Sequence, residues 1–184
     1  MGKVFCSMSV SLDGYVEDPN GSIEFAAPDA EVHRAANEQA RQAAAFLFGR
    51  RLYEMMEEYW TNAAHQDGLP EVEAEFAEVY MNTPRFVFSD TLTTVPEGVQ
   101  LVRRKDAVAE VTRLKRETDG DLDLGGPELA ASLLDLIDEF RLFVVPVAVG
   151  GGKPFFPVGQ HLPLRLTEHR PFASGTVFLR YERR

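Results

Sequence analysis

Apolar and polar positions alternate loosely along residues 3–11 (KVFCSMSVS), a stretch rich in β-formers, and this predicts a first strand. Asp13-Gly14 reads as a turn, Tyr15-Val16 could resume extended structure, and residues 18–21 (DPNG) mark a second turn. Residues 29–45 (DAEVHRAANEQARQAAA) have helical composition, with Asp29 as N-cap or first-turn acid. Phe46-Leu47-Phe48 predicts a short buried strand ending at Gly49. In residues 51–59, Leu52, Met55, Met56 and Tyr59 fall near helical spacing. Residues 61–69 read as a loop, and residues 70–81 as a helix opened by Pro70.

The second half repeats the alternation. Residues 85–89 (RFVFS) and 99–102 predict strands, residues 105–117 a helix with Val108, Val111 and Leu114 on one face, and residues 121–124 (DLDL) a strand running into Gly125-Gly126. Pro127 opens a helix to about Leu136, and residues 140–149 (FRLFVVPVAV) are dense enough in apolar side chains for a central strand, ended by three glycines. Strands near 164–170 and 175–182 could close the chain as a hairpin. Strand and helix in alternation, then an antiparallel pair, predict one α/β domain over residues 1–184. Its sheet should be mostly parallel, flanked by helices, with an antiparallel edge.

Composition narrows the function. A net charge of −10 without a basic run argues against nucleic acid or an anionic membrane surface as partner. Any anionic ligand must then be held by a local site. The lone Cys6 excludes an internal disulfide, and four scattered histidines suggest no metal-ligand pair. No apolar run approaches the ~20 residues that span a bilayer, and the N-terminus reads as a strand rather than a signal peptide. A cytoplasmic location is the default expectation.

Three predicted strand ends lead into loops suited to an anionic cofactor. Gly49-Arg50-Arg51 places two arginines at a helix start, where the dipole already disfavours them unless a phosphate is bound. Taken alone, a turn with two solvated arginines is the commoner explanation. Gly125-Gly126-Pro127-Glu128-Leu129 offers close backbone approach and free N–H groups, with simple helix initiation as its alternative. Ser89-Asp90-Thr91 could bind a ribose phosphate or form only a local turn. Patterns for hydrolases, zinc proteases and P-loops are missing, as is GxGxxG. Trp60, Tyr53 and Tyr59 could line a pocket for a flat substrate or belong to the core.

In order, SLDGYVED at 11–18, FLFGRRLYEMM at 46–56, YW at 59–60, VFSDTL at 87–92, LGGPELAASLL at 124–134, IDEFRLFVVPVAVGGGKPFF at 137–156 and the closing VFLRYERR resemble the dihydrofolate reductase superfamily. Within it they look most like the reductase domain of the bifunctional riboflavin-biosynthesis enzyme, the RibD C-terminal type, in a stand-alone form lacking the deaminase part. The resemblance implies a three-layer α/β/α fold with a central sheet of about eight strands, NADPH as hydride donor, a small heterocyclic or carbonyl substrate (ribosylaminopyrimidine- or pterin-like) and a homodimer. It implies cofactor contacts at Ser9, Val16, Gly49, Arg50, Arg51, Ser89, Gly125, Gly126, Glu128 and Leu129. It also implies a substrate pocket near Ile23, Phe25, Trp60 and Pro146, with Asp29 or Glu31 as the acid that supplies a proton. Water and Asp13 are further proton sources. The family's threonine after Gly-Arg-X is Leu52 here, which removes one phosphate ligand. The alternative is a non-catalytic nucleotide-binding or regulatory protein on the same fold; a purely structural domain would bind no nucleotide.

Overall fold

The computed structural model describes residues 2–184. In chain order its elements are β1 (Val4–Ser11), β2 (Tyr15–Glu17), α1 (Ala30–Ala40), β3 (Ala43–Gly49), α2 (Arg50–Ala63), α3 (Glu71–Asn82), β4 (Arg85–Phe88) and β5 (Val99–Val102). Then follow α4 (Ala107–Glu117), β6 (Asp121–Gly125), α5 (Pro127–Ser132), β7 (Glu139–Val145), β8 (Lys153–Pro154), β9 (Leu164–Pro171) and β10 (Val177–Arg183). Short 3-10 turns cover Glu24–Ala26, Arg104–Asp106 and Leu134–Leu136.

Among the described residues, eight strands form one sheet in the order β5-β4-β3-β6-β1-β7-β10-β9. The pairings from β5 through β7 are all parallel, and β10 pairs antiparallel with both β7 and β9. The predicted architecture, mostly parallel with an antiparallel C-terminal hairpin, is the one observed. Side-chain alternation on the strands feeds two layers of helix. Ala45, Leu47, Leu122, Leu124 and Phe140 pack with Val111, Leu114 and Leu129 of α4 and α5. On the opposite face Phe46 and Phe48 pack with Ala40, Tyr53 and Tyr80 of α1, α2 and α3. A smaller cluster on that side joins Val32 and Ala35 of α1 to Phe143, Phe172 and Phe178.

Several boundaries differ from expectation. The helix predicted over 29–45 stops at Ala40, and Ala43–Ala45 begin β3 instead. Alanine favours helix, but pairing of Ala43 and Ala45 with Asp121 and Leu122 of β6 outweighs that preference. The strand predicted over 140–149 ends at Val145, because Pro146 has no N–H to continue the ladder. The helix expected from Pro127 to Leu136 breaks at Leu133, with φ −113° and ψ 17°, and resumes as a 3-10 turn. Residues 61–63, expected in a loop, extend α2.

The two-residue β8 went unforeseen; it pairs antiparallel with β2 to form a second small sheet. This ribbon holds the triple-glycine loop against the loop after β2. Gly152 has φ +122°, and a Cβ there would collide with the Glu17 carbonyl oxygen. Gly152→Ala should therefore destabilise the protein by about 2–4 kcal/mol, from left-handed strain plus a backbone clash. Urea denaturation checks this; a loss below about 0.5 kcal/mol, the level of an ordinary surface change, contradicts it.

Candidate functional site

Because β1, β3, β4, β5, β6 and β7 run parallel, their carboxyl ends share one edge of the sheet. That edge gathers Ser11, Gly49, Ser89, Arg103, Gly125-Gly126 and Pro146 from distant parts of the chain. Open parallel sheets bind ligands beyond this edge.

Two helix starts meet there. Gly49 is the N-cap of α2 and Gly126 the N-cap of α5, and neither helix has a side-chain cap. Gly126 has φ +103°, the left-handed backbone that glycine permits, and its Cα side faces the Gly49 nitrogen, 3.6 Å from where a Cβ would stand. Uncapped first turns leave backbone N–H groups available to an anion. Leu129 is buried beneath, its Cβ 3.6 Å from where a Gly49 Cβ would be.

Cations surround this junction. Arg51 pairs with Glu17 at 3.1 Å, and Lys153 lies 3.0 Å from Glu128 and 3.7 Å from Glu17. Arg104 reaches Glu128 at 3.7 Å, while Arg50 pairs only within its own helix, with Glu54 at 3.5 Å. Arg103 donates to the carbonyls of Ser89 and Leu92, fixing the loop after β4. The Ser89 hydroxyl accepts from the N–H groups of Thr91 and Leu92, the local turn that was its alternative explanation. This donor set of arginines, a lysine and unpaired N–H groups suits an anionic phosphate.

The segment after β1 borders the same edge. Asp13 accepts from the N–H groups of Val149 and Gly150, tying the Asp13-Gly14 turn to the glycine loop. The Ser11 hydroxyl and these two N–H groups hold its carboxyl below the usual range, so it has no proton to give near neutrality. Val16 is buried in β2, and Ser9 lies part-exposed on β1. Ile23 is exposed and Phe25 half-buried in and beside the 3-10 turn that follows, and Pro146 is exposed at the end of β7.

Other predicted residues have structural tasks. Asp29 caps α1, accepting from the N–H groups of Glu31 and Val32, and the Val32 bond foremost lowers its pKa. Glu31 accepts from the Ala173 N–H across the gap between α1 and the β9–β10 turn. Trp60 lies ten residues along α2 from Arg50, roughly 15 Å at helical rise, and packs on Phe76 at 4.5 Å and His33 at 6.1 Å. It belongs to the helix layer.

A match to the RibD C-terminal domain model spans residues 2–178. The chain belongs to this family. Three further likenesses accompany that of the RibD C-terminal domain. The uncharacterized protein YyaP of Bacillus subtilis (strain 168) is 28% identical over 183 residues, covering 97% of this chain and 94% of YyaP. The diaminohydroxyphosphoribosylaminopyrimidine deaminase/5-amino-6-(5-phosphoribosylamino)uracil reductase of Thermotoga maritima superposes with TM-score 0.70 at 17% identity, over 100% of this chain and 57% of that one. The dihydrofolate reductase of Enterococcus faecalis, complexed with NADP(H) and RAB-propyl, superposes with TM-score 0.66 at 14% identity, over 99% and 96%. These structural likenesses establish the dihydrofolate reductase-like fold of this RibD C-terminal domain. Among the described residues no helix is long and apolar enough to cross a membrane, and no cluster of three or more metal-ligating side chains occurs.

One group in this domain escaped the sequence reading. Asp123 on β6 is in register with Phe5 of β1 and Phe46 of β3, on the face covered by α1–α3. Ser7 and Ser9, on the same face of β1, are part-exposed although β1 is central, so the helix layer leaves a slot above them. Arg141 lies over the Phe5 ring at 3.7 Å and bonds Glu139 through Nε and Nη2, while its buried Nη1 has no partner. Asp123 is half-buried and sits under enough protein to disfavour its charge; burial pushes its acid up to about 7 despite the Arg141 charge. An alternating Asp-Leu-Asp-Leu strand signals only one wet face; the depth of that face comes from the helices.

Folded Asp123 keeps its proton to about pH 7, whereas the unfolded chain releases it near 4. Between these values the folded state binds more protons, so stability falls as pH rises and the full cost is present above 7. Asp123→Asn should remove that fall. Its stability relative to the parent should rise from pH 5 to pH 8 by no more than about 3 kcal/mol. Urea melts at both pH values check this, and parallel behaviour of the two proteins contradicts it.

Proposed function

We propose that this chain is a reductase that binds NADPH across the carboxyl edge of its sheet and reduces a small heterocyclic or carbonyl compound, ribosylaminopyrimidine- or pterin-like. The observation that supports this most is the meeting of two uncapped helix starts, at Gly49 and Gly126, among Arg51, Arg104 and Lys153. The family membership and the NADP(H) complex of the Enterococcus faecalis neighbour agree with it.

When bound, NADPH supplies the hydride. In this reading Gly49, Gly126 and the N–H groups after them hold the pyrophosphate, Leu129 floors the site, and Arg51, with Arg50 and Ser89, serves the adenosine phosphate end. Ser9 and Val16 border the nicotinamide. Ile23, Phe25 and Pro146 border the substrate and limit water. Trp60 supports this wall from behind, through α1 and α3. Asp29 and Glu31 are the proton sources implied by resemblance, but both hold α1 in place. Asp123 is in register with Phe5, four strand residues short of Ser9, so water is left as the proton source at the substrate.

Arg51→Ala should weaken NADPH binding about tenfold, the loss of one charge-assisted contact, and NADH binding by less than about threefold. Arg50→Ala, removing the arginine paired within its own helix, should do less. Fluorescence titration of the bound reduced nucleotides measures all three. An unchanged NADPH/NADH ratio in both variants sinks the arginine assignment. Saturable binding without oxidation by any pterin, pyrimidine or carbonyl compound favours a non-catalytic nucleotide-binding protein, and no binding at millimolar concentration removes the cofactor.

A further inference from the structure

Glu128 is oddly placed for a residue at the mouth of an anion site. Its carboxylate does not merely face the α5 dipole. It spans to Lys153 of β8 at 3.0 Å and to Arg104 of the 3-10 turn after β5 at 3.7 Å, joining two cations from distant parts of the chain. Lys153 foremost, then Arg104 and Arg51, hold its acid below the usual range, so it is ionised at neutral pH. Its side chain is 67% exposed, and nothing packs it in place. Glu17 differs: it also pairs with Arg51 and Lys153, but its side chain is only 16% exposed and it belongs to the β2–β8 ribbon. Three cations therefore face one fixed carboxylate and one that can leave.

We propose that Glu128 is an internal competitor: its carboxylate occupies the place of a phosphate group among Lys153, Arg104 and Arg51, and swings into solvent when an anionic phosphate enters. This rests on reading the edge as a dinucleotide site. With Glu128 in place the cluster has a surplus of one positive charge; with it displaced the surplus is two. The ligand class is thus a phosphate group with at least two negative charges, either a pyrophosphate or a terminal monoester. A neutral residue at this position would leave the cations open but less firmly held. Glu128 thereby lowers affinity for the cofactor and hastens its release, while keeping the cations oriented between turnovers.

Glu128→Gln removes the competing charge from an exposed position and leaves the core untouched. Calorimetric titrations of the parent and variant with NADPH, pyrophosphate and adenosine 2′-phosphate, at low and high salt, decide the matter. The variant should bind NADPH about two- to fivefold more tightly at low salt, the range for one exposed charge contact. That gain should shrink as salt screens it. A gain confined to pyrophosphate or to adenosine 2′-phosphate tells which phosphate Glu128 displaces for. Equal or weaker binding by the variant overturns the proposal, while NADPH binding by both leaves the cofactor reading standing. If neither protein binds NADPH yet the variant gains pyrophosphate affinity, the competition holds and the cofactor reading falls. If neither binds any of the three, both fall.

Discussion

Parallel pairing from β5 through β7 is the constraint on which the rest depends. It forces each connection to cross back over the sheet, usually as a helix, and so sends every strand's carboxyl end to one edge. Residues as far apart as Ser11, Gly49, Ser89, Gly125 and Pro146 become neighbours without any one of them specifying it. The two helix layers then bury most of the parallel strands on both faces, leaving this edge, the slot over β1 and the exposed strand β9 open to solvent. Charge follows the same logic. A chain with a net charge of −10 keeps Arg51, Arg104 and Lys153 together only by interleaving Glu17 and Glu128.

How much of this was legible in the sequence depended on the kind of signal. Apolar density marked β3, β4 and β7, and Gly125-Gly126-Pro127 marked the turn at the junction, because local chemistry dictates them. The Ala43–Ala45 run misled, since its helix propensity is local and its pairing with β6 is not. Arg50 and Arg51 looked alike as letters; only the fold separates an arginine held by Glu54 one turn on from one reaching Glu17 across the edge. Lys153 and Arg104 were invisible as site residues, because their place depends on β8 and on the end of β5.

The acids show the same limit more sharply. Twenty-nine Asp and Glu side chains gave no means of choosing among them. Asp29 has the sequence mark of an N-cap, and the structure gives it that task. Asp123 has no mark at all beyond alternation, yet burial beneath the helix layer, against the pull of the Arg141 charge, makes it the acid whose ionisation is most open to change near neutrality. A carboxyl's chemistry is set by its depth, and depth is a property of tertiary structure.

The sheet order also has a consequence in time. The central strand β1 is made first, but its two neighbours, β6 and β7, lie more than a hundred residues later, and β7 in turn is covered by β10, the final strand. Pairings of such long sequence separation form slowly, because a large loop must close before they repay its entropy. During synthesis on the ribosome, β1 must wait with both edges open until most of the chain has emerged. A nascent chain in that condition is a natural client for chaperones, and truncation of even the last strand would leave one edge of β7 open.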